Sequence, residues 1–206
     1  MHGDYALTGA ATAQAPAAAS GPISDEALLK NIARGDKRAM HVLFVRHNVR
    51  VYRFVARLVS DEAVAEDLVS EVFLEVWRKA GHFEGRSQVS TWLLAIGRYK
   101  ALSHLRGRAV DHLDEATADA IEDPADNPAV VLEKKSRSEL LRQCLTQLSP
   151  AHREVIDLVY YHEKSIEEVA AILNIPDATV RTRMFYARKR LAELLRAEGV
   201  EAIDAA

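Results

Sequence analysis

Cysteine occurs once in the 206 residues, at Cys144, so the chain can neither close a disulfide within itself nor build a cysteine-based zinc site. Such usage fits a reducing compartment. No window approaches the roughly 18 consecutive apolar residues of a membrane-crossing helix, and the Ala-rich N-terminus has neither a basic leader nor a strongly apolar stretch. A cytoplasmic protein with no membrane partner is expected. The sequence holds no phosphate-binding glycine loop, no HExxH and no nucleophile–base constellation. Its eight histidines, His82, His104 and His162 among them, show no metal-ligand spacing, and each is expected at the surface or at a helix end. Neither an enzyme nor a cofactor or metal site is predicted. An overall cationic surplus is missing too: 27 Lys and Arg stand against 30 Asp and Glu, a net charge of −3. Any affinity for polyanions must come from local clustering of cations.

Proline (6) and glycine (9) are scarce, and β-branched residues do not alternate with polar ones. Apolar residues instead recur three and four apart along most of the chain, which predicts an all-α protein. Residues 1–22 carry almost no charge and little that could form a core, and read as a disordered arm. From Asp25 the helical pattern begins, with Ser24 as N-cap. A second break is acidic: Asp111, Asp114, Glu115, Asp119, Glu122, Asp123 and Asp126 occur without a Lys or Arg, beside Pro124 and Pro128. Two small helical domains follow, over 24–109 and 129–198, joined by a flexible acidic linker at 110–128. Neither contains an internal repeat.

The stretch SIEEVAAILNIPDATVRTRMFYARKRL, Ser165 to Leu191, has the form of a helix-turn-helix. Ser165 and Glu168 match a capping box, and Val169, Ala170, Ile172 and Leu173 supply an apolar side. Asn174, Ile175 and Pro176 then interrupt the helix, because proline and the residue before it resist a helix interior. In the next helix Val180, Met184, Ala187 and Leu191 share one face. Thr179, Arg181, Thr182, Arg183, Phe185, Tyr186 and Arg188 take the remaining arc, where guanidinium forks and hydroxyls can reach phosphates and base edges. A basic last helix can also be a merely solvated face, but large rings among the arginines point to a partner.

Two further stretches come from the first domain. AEDLVSEVFLEVW, from Ala65, buries Leu68, Val69, Val72, Phe73, Val76 and Trp77, while Asp67, Glu71 and Glu75 stack at four-residue spacing on another side. After Glu84, the charged residues of FEGRSQVSTWLLAIGRYKALSHLRGR are all positive: Arg86, Arg98, Lys100, Arg106 and Arg108. With Trp92 and Tyr99 interleaved, such a helix suits single-stranded nucleic acid, where bases stack on rings and the backbone follows cations. Leu93 and Ile96 continue the apolar side of Trp92, so this ring also fits a core.

In this order the three stretches resemble a bacterial sigma factor of the extracytoplasmic-function group, over about residues 26–197. The resemblance implies that the helix carrying Asp67, Ser70, Glu71 and Glu75 docks on the clamp coiled coil of the largest subunit of core RNA polymerase, the flap being a further contact. It implies that Arg86, Trp92, Arg98, Tyr99, Lys100, His104, Arg106 and Arg108 read and help melt the −10 promoter element, and that Thr179 to Arg188 read the −35 element. Both double- and single-stranded promoter DNA would then be partners, together with an anti-sigma factor. Ser70 stands where the family commonly has Gln, Tyr99 where many members have Asn, and Ala178 where Gly is usual. A sigma-like protein that only titrates an anti-sigma factor would not need cations on both DNA faces. A stand-alone helix-turn-helix repressor would leave the first domain without a role.

Overall fold

The computed structural model describes residues 23–111 and 139–198. The arm at 1–22 and most of the linker at 110–128 lie outside the described residues. Every regular element among the described residues is helical.

Short polar caps set the N-terminal helices. Ser24 accepts a hydrogen bond from the Ala27 amide and starts α1 (Asp25–Ile32), as its sequence suggests. Gly35, at φ +88°, makes a turn that a side chain would strain, and Asp36 then caps α2 (Lys37–Val59) through the amides of Arg38 and Ala39. Ser60 ends α2 in the left-handed region, and Asp61 caps α3 (Glu62–Lys79) through Val64. A 3-10 turn at Ala80–His82 leads to the long α4 (Val89–Asp111). Helices α1 to α4 close on one core of Leu28, Leu29, Leu43, Val51, Val55, Leu68, Val72, Val76 and Leu93. Gly97 sits where α4 crosses α2: a Cβ there would lie 3.2 Å from Val55 and 3.6 Å from Val51.

The C-terminal body begins with α5, helical at 139–146, followed by α6 (Pro150–Ile156), which Ser149 caps with Pro150 in the first turn. A π turn at Asp157–Tyr161 widens the backbone. It leaves Tyr160 and Tyr161 exposed and turns His162 inward. Helix α7 (Ile166–Leu173) starts with the expected capping box of Ser165 and Glu168 and ends at Asn174, in the left-handed region at φ 53°. Helix α8 (Asp177–Ala197) follows Pro176. Val180, Met184 and Ala187 are buried, with Leu191 packed at the margin, as their spacing predicts.

The two bodies are packed together, with α4 against α7. Phe54 of α2 and Leu94 of α4 are fully buried in the C-terminal cluster, beside Leu158, Val169 and Leu173. His47 departs from the surface or helix-end position expected of it, whereas His162 does lie at a helix end but is buried there. His47, in mid-α2, is buried because Asp25 of α1 holds its Nε2 at 2.7 Å. His162 is buried edge-on to Phe54, with ring centroids 5.4 Å apart. Its Nε2 lies 3.3 Å from Asp157 without hydrogen-bond geometry.

Candidate nucleic-acid interface

Three surfaces carry the residues singled out above. On α3, Asp67, Ser70 and Glu71 are exposed and Glu75 is half-buried. A 2.6 Å contact from Lys79, one turn further on, holds the Glu75 carboxyl below its ordinary value. Glu71 accepts a 2.9 Å bond from Lys100 of α4, so the acidic stripe borders the basic helix directly. Leu74 stands among these acids with 48% of its surface exposed. The sequence reading passed over it, although three of its neighbours at helical spacing, Ser70, Glu71 and Arg78, are polar.

The cations of α4 do not share one face. Arg98 and Lys100, two residues apart, project to nearly opposite sides of a helix. Arg98 is half-buried against the C-terminal body and gives two bonds to Glu154, at 2.7 and 3.3 Å. A third donor reaches the Leu173 carbonyl at 3.4 Å. Lys100 faces α3. Tyr99 is the open member, 68% exposed, while Arg106 folds back on the Leu102 carbonyl and the Ser103 hydroxyl. Arg108 is exposed, and Arg86 is exposed in an ion pair with Glu84. Trp92 is half-buried on Phe83, centroids 5.2 Å apart, which favours a packing role for its inner edge. His104 is half-buried, and its Nε2 has no hydrogen-bond partner among the described residues.

The third surface is the outer arc of α8. Arg181, Phe185 and Arg188, spaced by four and three residues, form an exposed row. Phe185 and Tyr186 are 64% and 53% exposed and meet edge-on at 5.4 Å. Thr182 bonds back to the Ala178 carbonyl, and Thr179 and Arg183 are half-buried beside the arc. Arg181 lies 3.5 Å from Glu167 of α7 with both side chains largely in solvent, so water screens the pair and the fork stays available. The Arg188 guanidinium is 5.6 Å from the Tyr160 ring. That π-turn aromatic was not foreseen, since nothing in the local sequence distinguishes a π turn from a continuing helix.

Among the described residues no group of three or more His, Cys, Asp or Glu could hold a metal ion. No helix among them is long and apolar enough to cross a membrane. The chemistry on offer is recognition: guanidinium forks and rings on two helices, and an acidic stripe with one leucine on a third.

Residues 43–110 match the family model of Sigma-70 region 2, and residues 138–191 match that of Sigma-70 region 4. Over 180 residues the chain is 31% identical to the RNA polymerase sigma-H factor of Pseudomonas aeruginosa, a span of 83% of this chain and 93% of that one. It is 28% identical over 165 residues to the ECF RNA polymerase sigma factor SigK of Mycobacterium sp. (strain KMS), covering 77% and 84%. Among solved structures it resembles the sigma factor RpoE of Bartonella quintana, crystallised with the anti-sigma factor NepR, at a TM-score of 0.63 and 28% identity over 79% of this chain and 96% of that one. Acidic stripe, basic helix and helix-turn-helix thus fall in regions that match in order and along most of the length, and the chain belongs to the extracytoplasmic-function group of the bacterial sigma-70 family, the factors that bring RNA polymerase to promoters.

Proposed function

We propose that the three surfaces divide the work of promoter recognition and opening. Asp67, Ser70, Glu71 and Glu75, with Leu74 among them, dock on the clamp of core polymerase. Arg86, Trp92, Arg98, Tyr99, Lys100, His104, Arg106 and Arg108 of the α4 segment hold the separated −10 strand, where backbone charge and base stacking dominate. The arc of α8, Thr179 to Arg188, reads duplex −35 DNA. The bodies at 24–109 and 129–198 are the working units, with 1–22 and 110–128 as arm and linker. The protein acts in the cytoplasm and leaves bond-making to the polymerase. The Bartonella neighbour, solved with its anti-sigma factor, supports control of this chain by a comparable partner.

The observation that carries this reading is the exposed row of Arg181, Phe185 and Arg188 on a helix set by the Asn174 turn. A good bidentate contact to a base is worth about 1–3 kcal/mol. Arg181→Ala should therefore weaken duplex promoter binding and relax −35 preference, with strand opening spared once binding is saturated. Lys100→Ala should impair opening on a promoter that stays bound. Duplex binding and permanganate footprinting of the holoenzyme separate the two, and identical profiles for both variants would remove the division of labour.

A further inference from the structure

The π turn at Asp157–Tyr161 places two neighbouring rings at the surface, Tyr160 at 55% and Tyr161 at 48% exposure. Each meets one guanidinium, and the two come from different helices. Arg57 of α2, paired with Asp157, lies 4.2 Å over the Tyr161 ring. Arg188 of α8 stands 5.6 Å over the Tyr160 ring. Arg188 closes the exposed row that begins with Arg181 and Phe185, and its guanidinium takes part in no hydrogen bond or ion pair among the described residues. Two positions further on, Arg190 turns instead to Glu193. Among the described residues, the Tyr160 ring is thus the group that bears on where the Arg188 fork points.

We propose that Tyr160 is a positioning residue for duplex recognition by α8: its ring holds the Arg188 guanidinium at the end of the row, so that the fork is aimed before DNA arrives. The proposal rests on the assignment of the α8 arc to −35 DNA. An arginine on an open helix face samples many rotamers, and binding must order it. The negative face of a phenol ring attracts a guanidinium within about 6 Å, which narrows that search in the free protein. The guanidinium is planar, with its N–H groups around the edge. An aromatic face can therefore hold it and leave the donors open to phosphate oxygens or to guanine O6 and N7. Helix α6, from which the π turn continues, packs on α8, so the ring is carried on a fixed support beside the row it serves.

The test uses holoenzyme reconstituted with core polymerase and a fluorescein-labelled duplex that the parent holoenzyme selects from a random-sequence pool, kept cold so that the strands stay paired. Anisotropy reports binding. Tyr160→Leu should bind about two- to fivefold more weakly, the range an exposed cation–π contact supports, whereas Tyr160→Phe, which keeps the ring, should restore parental affinity. Arg188→Ala removes the fork itself and should weaken binding further. Adding Tyr160→Leu to Arg188→Ala should then change nothing more, because the ring has no fork left to aim. Repeat selections should return one −35 profile for both single variants. If Tyr160→Leu loses helicity, Tyr160→Trp decides: with the strongest ring for a cation it should bind at least as tightly as the parent. Losses that add in the double variant, a Phe variant as weak as the Leu one, a Trp variant weaker than the parent, or differing −35 profiles would each overturn the proposal. Arg181→Ala keeps the two ideas apart: if it and Arg188→Ala both bind as the parent does, the assignment of the arc falls as well, whereas losses there beside an unaffected Tyr160→Leu remove only the role of the ring.

Discussion

At the residue scale, Gly97 shows how a position without a side chain can set a helix crossing. Its missing Cβ lets α4 approach Val55 and Val51 of α2. Alanine there would gain about 1 kcal/mol in helix propensity and lose a similar amount to the 3.2 Å contact, so Gly97→Ala should be close to neutral in urea unfolding. Gly97→Leu should cost about 1–3 kcal/mol, the usual penalty of overpacking. Glu163 is the opposite case. It is exposed yet held at φ 53°, a conformation that costs a side-chain-bearing residue about 1 kcal/mol relative to glycine, so Glu163→Gly should raise the melting temperature slightly. Neither position was legible beforehand: Gly97 reads as a mild helix weakener and Glu163 as one more surface acid. Asn174 was legible as a break because the following proline forces one.

At the scale of elements, caps and apolar periods were readable because each depends on residues a few positions apart. Ser24, the Ser165–Glu168 box and the buried face of α8 follow from such local patterns. The π turn at Asp157–Tyr161 was not readable, since no residue of DLVYY marks it off from a continuing α-helix. The box on α7 gives two measurable outcomes. Ser165→Ala should lower stability by about 1 kcal/mol through the lost cap. Burial alone would raise the Glu168 carboxyl, but hydrogen bonds from Thr91, Lys164 and the Ser165 amide outweigh it and hold its pKa below the ordinary 4.5. Because the folded value is the lower one, the stability this group contributes is present above pH 4.5 and falls away as pH drops through the depressed value. Glu168→Gln should therefore be destabilised against the parent at neutral pH, and the gap in denaturant midpoint should shrink as the solution is acidified below that point.

For the whole molecule, both helical bodies could be inferred from composition and period, whereas their mutual packing could not. Arg98 reads in sequence as one cation in a basic run, and only the position of Glu154, 56 residues away, turns it toward the other body. The acidic stripe belongs to this scale because the docking role proposed for it lies outside the chain. Asp67→Lys with Glu71→Lys should abolish co-elution with core polymerase while leaving the melting temperature nearly unchanged, since the exposed Glu71–Lys100 pair is worth at most about 1 kcal/mol. Co-elution at parental affinity would remove the stripe from the docking surface. The joint at Arg57 and Asp157 also orders events in time, because its partners are 100 residues apart. Helices within each body meet through short closures and can assemble first, whereas docking joins residues far apart in sequence and comes later. Closure entropy grows only logarithmically with the number of residues between the bodies, so doubling the segment between Asp111 and Glu139 should cost docking about 0.6 kcal/mol. In refolding, dyes placed on the two bodies should come together as a late phase, after helicity is complete, and doubling the intervening segment should delay that phase without changing the earlier one.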